Sequence, residues 1–153
     1  MIDAPHITTI PARNTAMIHL TIPRAEIQSV MGPGLSEVKA VIAAQGIDIT
    51  GPWFTHHLRM DPKVFDFEIC MPVKSPIRPA GRVVPGTVPA ARVARTIYHG
   101  PYEGLGEAWG QFGEWVKAQG HTPAPDLWEI YTVGPESGAS AAQWQTELIR
   151  PVL

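Results

Sequence analysis

The chain has 153 residues, 44% hydrophobic and 17% charged, with a formal net charge of −2. That length and balance suit one domain spanning 1–153 with a sizeable core, and exclude a disordered chain. The 12 Lys and Arg are scattered and do not alternate with aromatics, so direct nucleic-acid binding is not expected.

In chain order, the opening "MIDAPHITTIPAR" has no basic-then-apolar leader. No apolar run approaches the ~18 residues that span a membrane, so the expected setting is cytoplasmic, with no membrane partner. The first helical pattern follows, interrupted by "SVMGPGLSEV", where Pro33 lacks a donor and crowds the preceding turn. A break or kink is expected there, with the main helix starting near Pro33. The single cysteine, Cys70, lies in the apolar stretch "FDFEICMPV" and reads as a small core residue. Residues 74–90, "KSPIRPAGRVVPGTVPA", are the densest in Pro and Gly, and a linker is expected at about 74–82.

Beyond it, Val88–Tyr98 reads as extended. Leu105, Ala108, Trp109, Phe112, Trp115 and Val116 then form one apolar stripe of an amphipathic helix, which Gly120 is placed to end. Leu127–Val133 and Trp144–Val152 read as two further strands.

The two halves, about 5–73 and 83–153, repeat one another. "TIPAR" from Thr9 returns as "TVPAAR" from Thr87, and "AAQG" at 43–46 returns as "KAQG" at 117–120. The same shift of 74 carries Met31, Leu35, Val38, Val41 and Ile42 onto Leu105, Trp109, Phe112, Trp115 and Val116. It carries Phe54, Thr55 and His57 onto Trp128, Glu129 and Tyr131. "EICMPV" then matches "ELIRPV" after a five-residue insertion in the loop "GPESGASAA". Each half reads as strand, helix, strand, strand. The fold class is therefore α+β: a duplicated β-α-β-β unit, an antiparallel-rich sheet and two long helices.

"DLWEIY", residues 126–131, sets a carboxylate inside an apolar strand. Glu129 and Tyr131 share a face with Leu127, while Trp128 and Ile130 are expected to point the other way, into the core under a helix. A Glu on a strand commonly marks a wetted sheet face. A carboxylate and a phenol among apolar neighbours also suit a cation that must lose its water. Both readings stand at this level. By the repeat, Thr55 mirrors Glu129, His57 mirrors Tyr131 and Trp53 mirrors Leu127, so all three are candidate pocket residues. Trp53 reads more readily as a packed core or rim residue.

"YHGPYEGLGEAWGQFGEWVKAQG", "DLWEIYTVGPE" and the terminal "WQTELIRPV" together resemble the GyrI-like small-molecule-binding domain. That module also serves as the effector-binding domain of AraC- and MerR-type multidrug-sensing regulators, in the SOUL/GyrI superfamily. The resemblance implies SHS2-type units related by a pseudo-twofold with a groove between them. It places Glu129 in an aromatic-lined pocket that meets lipophilic cations. Tyr102, in "HGPYEGL", is implied as an aromatic of that groove; its other reading is a turn residue packing on the helix. His57 departs from the aromatic that many relatives carry nearby, which puts ligand preference in question.

No metal is expected, because adjacent His56 and His57 face opposite ways on a strand and no HxH or HxxxH spacing occurs. Haem binding, known in some SOUL relatives, singles out no residue, and no cofactor is expected. The expected partner is a small hydrophobic or cationic ligand captured for sensing or sequestration, by a monomer or homodimer. With no helix-turn-helix, any role in transcription would run through a protein partner. Two alternatives remain open. One is a hydrolase of strained, cyclopropanoid-type electrophiles, with Glu129 as general base and Tyr131 or Tyr102 as proton donor. The other is a gyrase-inhibitor-like interaction module, for which the acidic helix side of Glu103, Glu107 and Glu114 is the available surface.

Overall fold

The structure is a computed structural model that describes the backbone of residues 1–153 and the side chains of all of them except Met60 and Glu136. Its elements in chain order are β1 (His6–Ile10), β2 (Arg13–Pro23), α1 (Ile27–Ala44), β3 (Phe54–Met60), β4 (Val64–Pro72), β5 (Val84–Val88), β6 (Ala91–His99), α2 (Leu105–Ala118), β7 (Leu127–Val133) and β8 (Gln145–Pro151). They form two compact units. Pro11–Ala90 make the N-terminal unit; Met1–Ile10 and Ala91–Leu153 make the C-terminal unit.

In the N-terminal unit the strands run β3-β4-β2-β5, all antiparallel. Helix α1 covers one face, burying Val38 and Ile42 against Ala16, Ile18, Phe67 and Ile69. Ile77 and Val83, from the Pro- and Gly-rich stretch, are buried in the same core. In the C-terminal unit the order is β1-β6-β8-β7, again antiparallel. Helix α2 buries Ala108, Phe112 and Val116 against Ala94, Tyr98 and Leu148. The architecture is α+β, four antiparallel strands and one long helix in each unit. Each unit's edge strand is the one preceding the crossing at Pro11-Ala12 or Pro89-Ala90, where "TIPAR" and "TVPAAR" stand. Thus β1 joins β6, and β5 joins β2. The expected extended run Val88–Tyr98 falls in β6, except that Val88 ends β5 and Pro89 stands between the two strands.

Both helices end alike. The N–H of Gly46 and Ile47 reach the carbonyls of Ala43 and Ile42; those of Gly120 and His121 reach Lys117 and Val116. Gly46 and Gly120 have φ of 65° and 81°, the left-handed position this cap demands. The repeated "AQG" is therefore a helix stop used twice.

One expectation needs correcting. Helix α1 does not begin near Pro33 but six residues earlier, at Ile27, and runs through the proline. Pro33 removes the hydrogen bond to the Ser29 carbonyl, but Leu35, Val38 and Ile42 on one side and Ile27, Val30 and Met31 on the other pack against the same core. Burial on both sides of the defect outweighs one missing bond.

Candidate functional site

Strand β7 is buried on both faces from Leu127 to Tyr131. Glu129 lies opposite Leu148, which packs under α2, so Glu129 and Tyr131 face the helix. Trp128 and Ile130 therefore point away from α2, contrary to the expectation that they lie beneath it. A strand dry on both sides gives no alternation from which to choose the helix face.

Glu129 is 8% exposed, and each of its carboxylate oxygens accepts a hydrogen bond. The Trp109 indole Nε1–H donates to Oε2 at 2.6 Å, and the Tyr131 hydroxyl donates to Oε1 at 2.8 Å. A buried carboxylate is costly without such donors, and bonds to a charged acceptor are the strong kind, about 1.5–3 kcal/mol each. Two rings build outward from this floor. Tyr102 stands edge-on to Tyr131 with centroids 5.7 Å apart, and Trp144 lies 4.9 Å from Tyr102. Trp144 is fixed in turn by its Nε1–H donating to the Ala139 carbonyl at 3.1 Å.

The sequence "YHGPYEGL" shows how Tyr102 is held. The Tyr98 hydroxyl donates to the Pro101 carbonyl at 2.7 Å, which folds the turn Tyr102–Gly104 at the head of α2. A Cβ on Gly104 would collide with that hydroxyl, so glycine lets the turn close against Tyr98. The turn then aims the ring of Tyr102 at Tyr131.

Of the residues singled out from sequence, Glu129, Tyr131 and Tyr102 come together in the C-terminal unit. Thr55, His57 and Trp53 belong to the N-terminal unit. Thr55 is fully buried opposite Ile69 on the α1 face. His57 is stacked on Phe67 at 5.4 Å and edge-on to Phe65 at 5.6 Å. Trp53 is half-buried against the same core. His56 faces the opposite side, where its Nδ1 lies 2.9 Å from a Glu68 oxygen. Among the described residues no group of three His, Cys, Asp or Glu is placed to hold a metal ion. Cys70 is buried, which pushes its thiol well above the usual range.

Trp109 and Trp144 join the candidate site through Glu129 and Tyr102, and sequence reasoning missed both. Trp109 entered only as one apolar member of the helix stripe. Its signal was the indole N–H, a donor that seeks an acceptor when buried.

A family model described as GyrI-like small molecule binding domain matches residues 3–153. Among solved structures, the EcmrR C-terminal domain superposes with a TM-score of 0.86 at 24% identity, over 98% of this chain and 97% of that one. In the EcmrR–DNA complex the match has the same TM-score at 23% identity, and this chain, 97% covered, spans 57% of the EcmrR chain. A hydrolase from Listeria innocua aligns with a TM-score of 0.70 at 12% identity, over 97% of this chain and 91% of that one. SAV2435, bound to tetraphenylphosphonium, aligns with a TM-score of 0.66 at 12% identity, over 99% and 94%. No curated protein matches the sequence. No helix among the described residues is long and apolar enough to cross a membrane.

Proposed function

The chain belongs to the GyrI-like small molecule binding domain family, and from that premise we propose that it captures lipophilic cations at the Glu129 site, for sensing or sequestration. One observation carries the reading: the buried Glu129, braced by Trp109 and Tyr131, with the rings of Tyr102 and Trp144 continuing from Tyr131. Such a floor attracts a positive centre, and the rings replace the water it loses. Cation–π contact adds about 0.5–2 kcal/mol, most where the site is dry. The tetraphenylphosphonium bound to SAV2435, a protein of similar fold, supports this choice of ligand class. Thr55, His57 and Trp53 hold the mirror positions in the N-terminal unit.

The test is a thermal-shift screen of lipophilic cations, neutral compounds of similar size and hydrophobic anions. A ligand at a hundred times its Kd stabilises by about 2.7 kcal/mol, a clear rise in Tm. Cations alone should give it. A response equal for cations and anions would rule the acidic floor out as the selecting group.

A second reading has its own observation. The Tyr131 hydroxyl and Glu129 are 2.8 Å apart, the spacing of a general base and a proton donor. The Listeria innocua hydrolase of similar fold favours testing it. Turnover of a strained electrophile that disappears in a Glu129→Gln, Tyr131→Phe double variant would support hydrolysis. Undiminished turnover by that variant would remove these residues from it.

A further inference from the structure

Across β6, β8 and β7, Tyr98, Thr146 and Tyr131 stand in one row, because Thr146 is in register with both tyrosines. Residues opposite one another in an antiparallel pair share a face, so all three look toward α2. Glu129 lies two residues along β7 from this row, diagonal to Thr146. That relation sets Cα atoms about 7–8 Å apart. Both tyrosine hydroxyls are committed: that of Tyr98 donates to the Pro101 carbonyl and that of Tyr131 to Glu129. The Thr146 hydroxyl is fully buried and has no hydrogen-bond partner among the described residues.

A buried hydroxyl without a partner is costly, and packing does not require this one. Counting the five-residue insertion, the N-terminal unit has Phe67 at this address, in register with His57 as Thr146 is with Tyr131. Phe67 is fully buried too, so an apolar side chain serves the fold there. Valine has threonine's branched shape and would fill the place of Thr146 without the cost. The unmet hydroxyl stands instead in the unit that carries Glu129. Glu129, Tyr131 and Thr146 are buried together on the side of α2. A ligand that reaches the carboxylate therefore arrives one strand from the hydroxyl.

We infer that Thr146 is a specificity-determining residue of this site: its hydroxyl donates to an oxygen acceptor on the ligand, while Glu129 takes the positive charge. The inference rests on the cation-binding reading above and narrows the ligand class to lipophilic cations that carry a carbonyl or ether oxygen. The cost of burying the hydroxyl is then offset only in the complex, so Thr146 lowers the stability of the free protein and raises its selectivity.

The experiment pairs one change on the protein with one on the ligand. Calorimetric titration of the full chain compares (3-acetylphenyl)triphenylphosphonium with (3-isopropylphenyl)triphenylphosphonium, which lacks the carbonyl at nearly equal size. Wild type, Thr146→Val and Thr146→Ser are titrated with both, and the Tm of each is read without ligand. Wild type should favour the acetyl ligand, Thr146→Ser should keep that preference, and Thr146→Val should reduce it about fivefold. Thr146→Val should also melt about 2–4 °C above wild type, whereas a hydroxyl that served the fold would lower Tm when removed. A Val variant that melts lower or keeps the wild-type preference, or a Ser variant that loses it, would overturn the role of Thr146 alone. A wild type that binds neither phosphonium would overturn the cation reading, and this inference with it.

Discussion

Where the C-terminal unit buries Glu129 and Tyr131 beneath α2, the N-terminal unit buries Thr55 and His57 beneath α1. The two addresses are equivalent: same strand, same face, same shift of 74. What differs is support. Glu129 has the Trp109 indole on one oxygen and the Tyr131 hydroxyl on the other, whereas Leu35 stands at the position of Trp109 and offers no donor. His57 is closed in by Phe65 and Phe67, and Thr55 is fully buried. Duplication therefore supplied two cradles, and the indole that braces a carboxylate stands in the second of them. The N-terminal copy carries instead a proline inside its helix, an irregularity its core tolerates.

Moving the charge across the repeat gives the largest expected effect. Thr55→Glu buries a carboxylate without an indole beside it and should destabilise the protein by about 3–5 kcal/mol in chemical denaturation. Stability close to wild type would mean that the two cradles are equivalent after all. Next is Trp109→Phe, which removes the indole donor to Glu129 and keeps an aromatic ring. It should lower stability by about 1–3 kcal/mol, with most of that loss disappearing when Glu129→Gln is already present. Additive losses in this double-mutant cycle would show that the 2.6 Å bond contributes little.

Relieving the irregularity of the other unit should act in the opposite direction. Pro33→Ala restores an N–H to α1 and should raise stability by about 1–2 kcal/mol, read as a higher midpoint in urea.

The smallest effect belongs to pH. On the face of the N-terminal sheet away from α1, Asp66 accepts hydrogen bonds from His19 at 2.6 Å, Arg59 at 3.0 Å and Thr21 at 3.1 Å. These partners, His19 foremost, hold its carboxyl below the usual value of 3.8. A folded pKa below the unfolded one stabilises above the unfolded value, and that contribution fades as pH falls through the folded pKa. Acid titration of stability should therefore be shallower below about pH 4 in Asp66→Asn than in wild type. Identical slopes would show that this cluster is not linked to folding.

The repeat, the helix stripe around Phe112, the shared "AQG" stop and the strand Leu127–Val133 were all legible in the sequence, because each is a local pattern with a physical cause. The grouping of Glu129 with Tyr131 followed from the two-residue period of a strand. The orientation of that pair was not legible, because Leu127 to Tyr131 are buried on both faces and no polar side marks solvent. Trp109 was hidden for a similar reason: in a stripe, an indole counts as apolar, and its N–H matters only once a strand twenty residues later brings an acceptor. The pairing of β1 with β6 spans more than eighty residues, beyond any local pattern. At Pro33 the local rule was sound, and core packing on both sides of it overrode the rule.

The central claim, that Glu129 selects for positive charge, is tested most directly by titrating wild type and Glu129→Gln with tetraphenylphosphonium and with tetraphenylborate, an anion of nearly the same shape. The account predicts that wild type prefers the phosphonium by about tenfold or more, and that the Gln variant loses this preference while still binding the rings. Equal affinities for cation and anion in wild type, or an unchanged preference in Glu129→Gln, would contradict it.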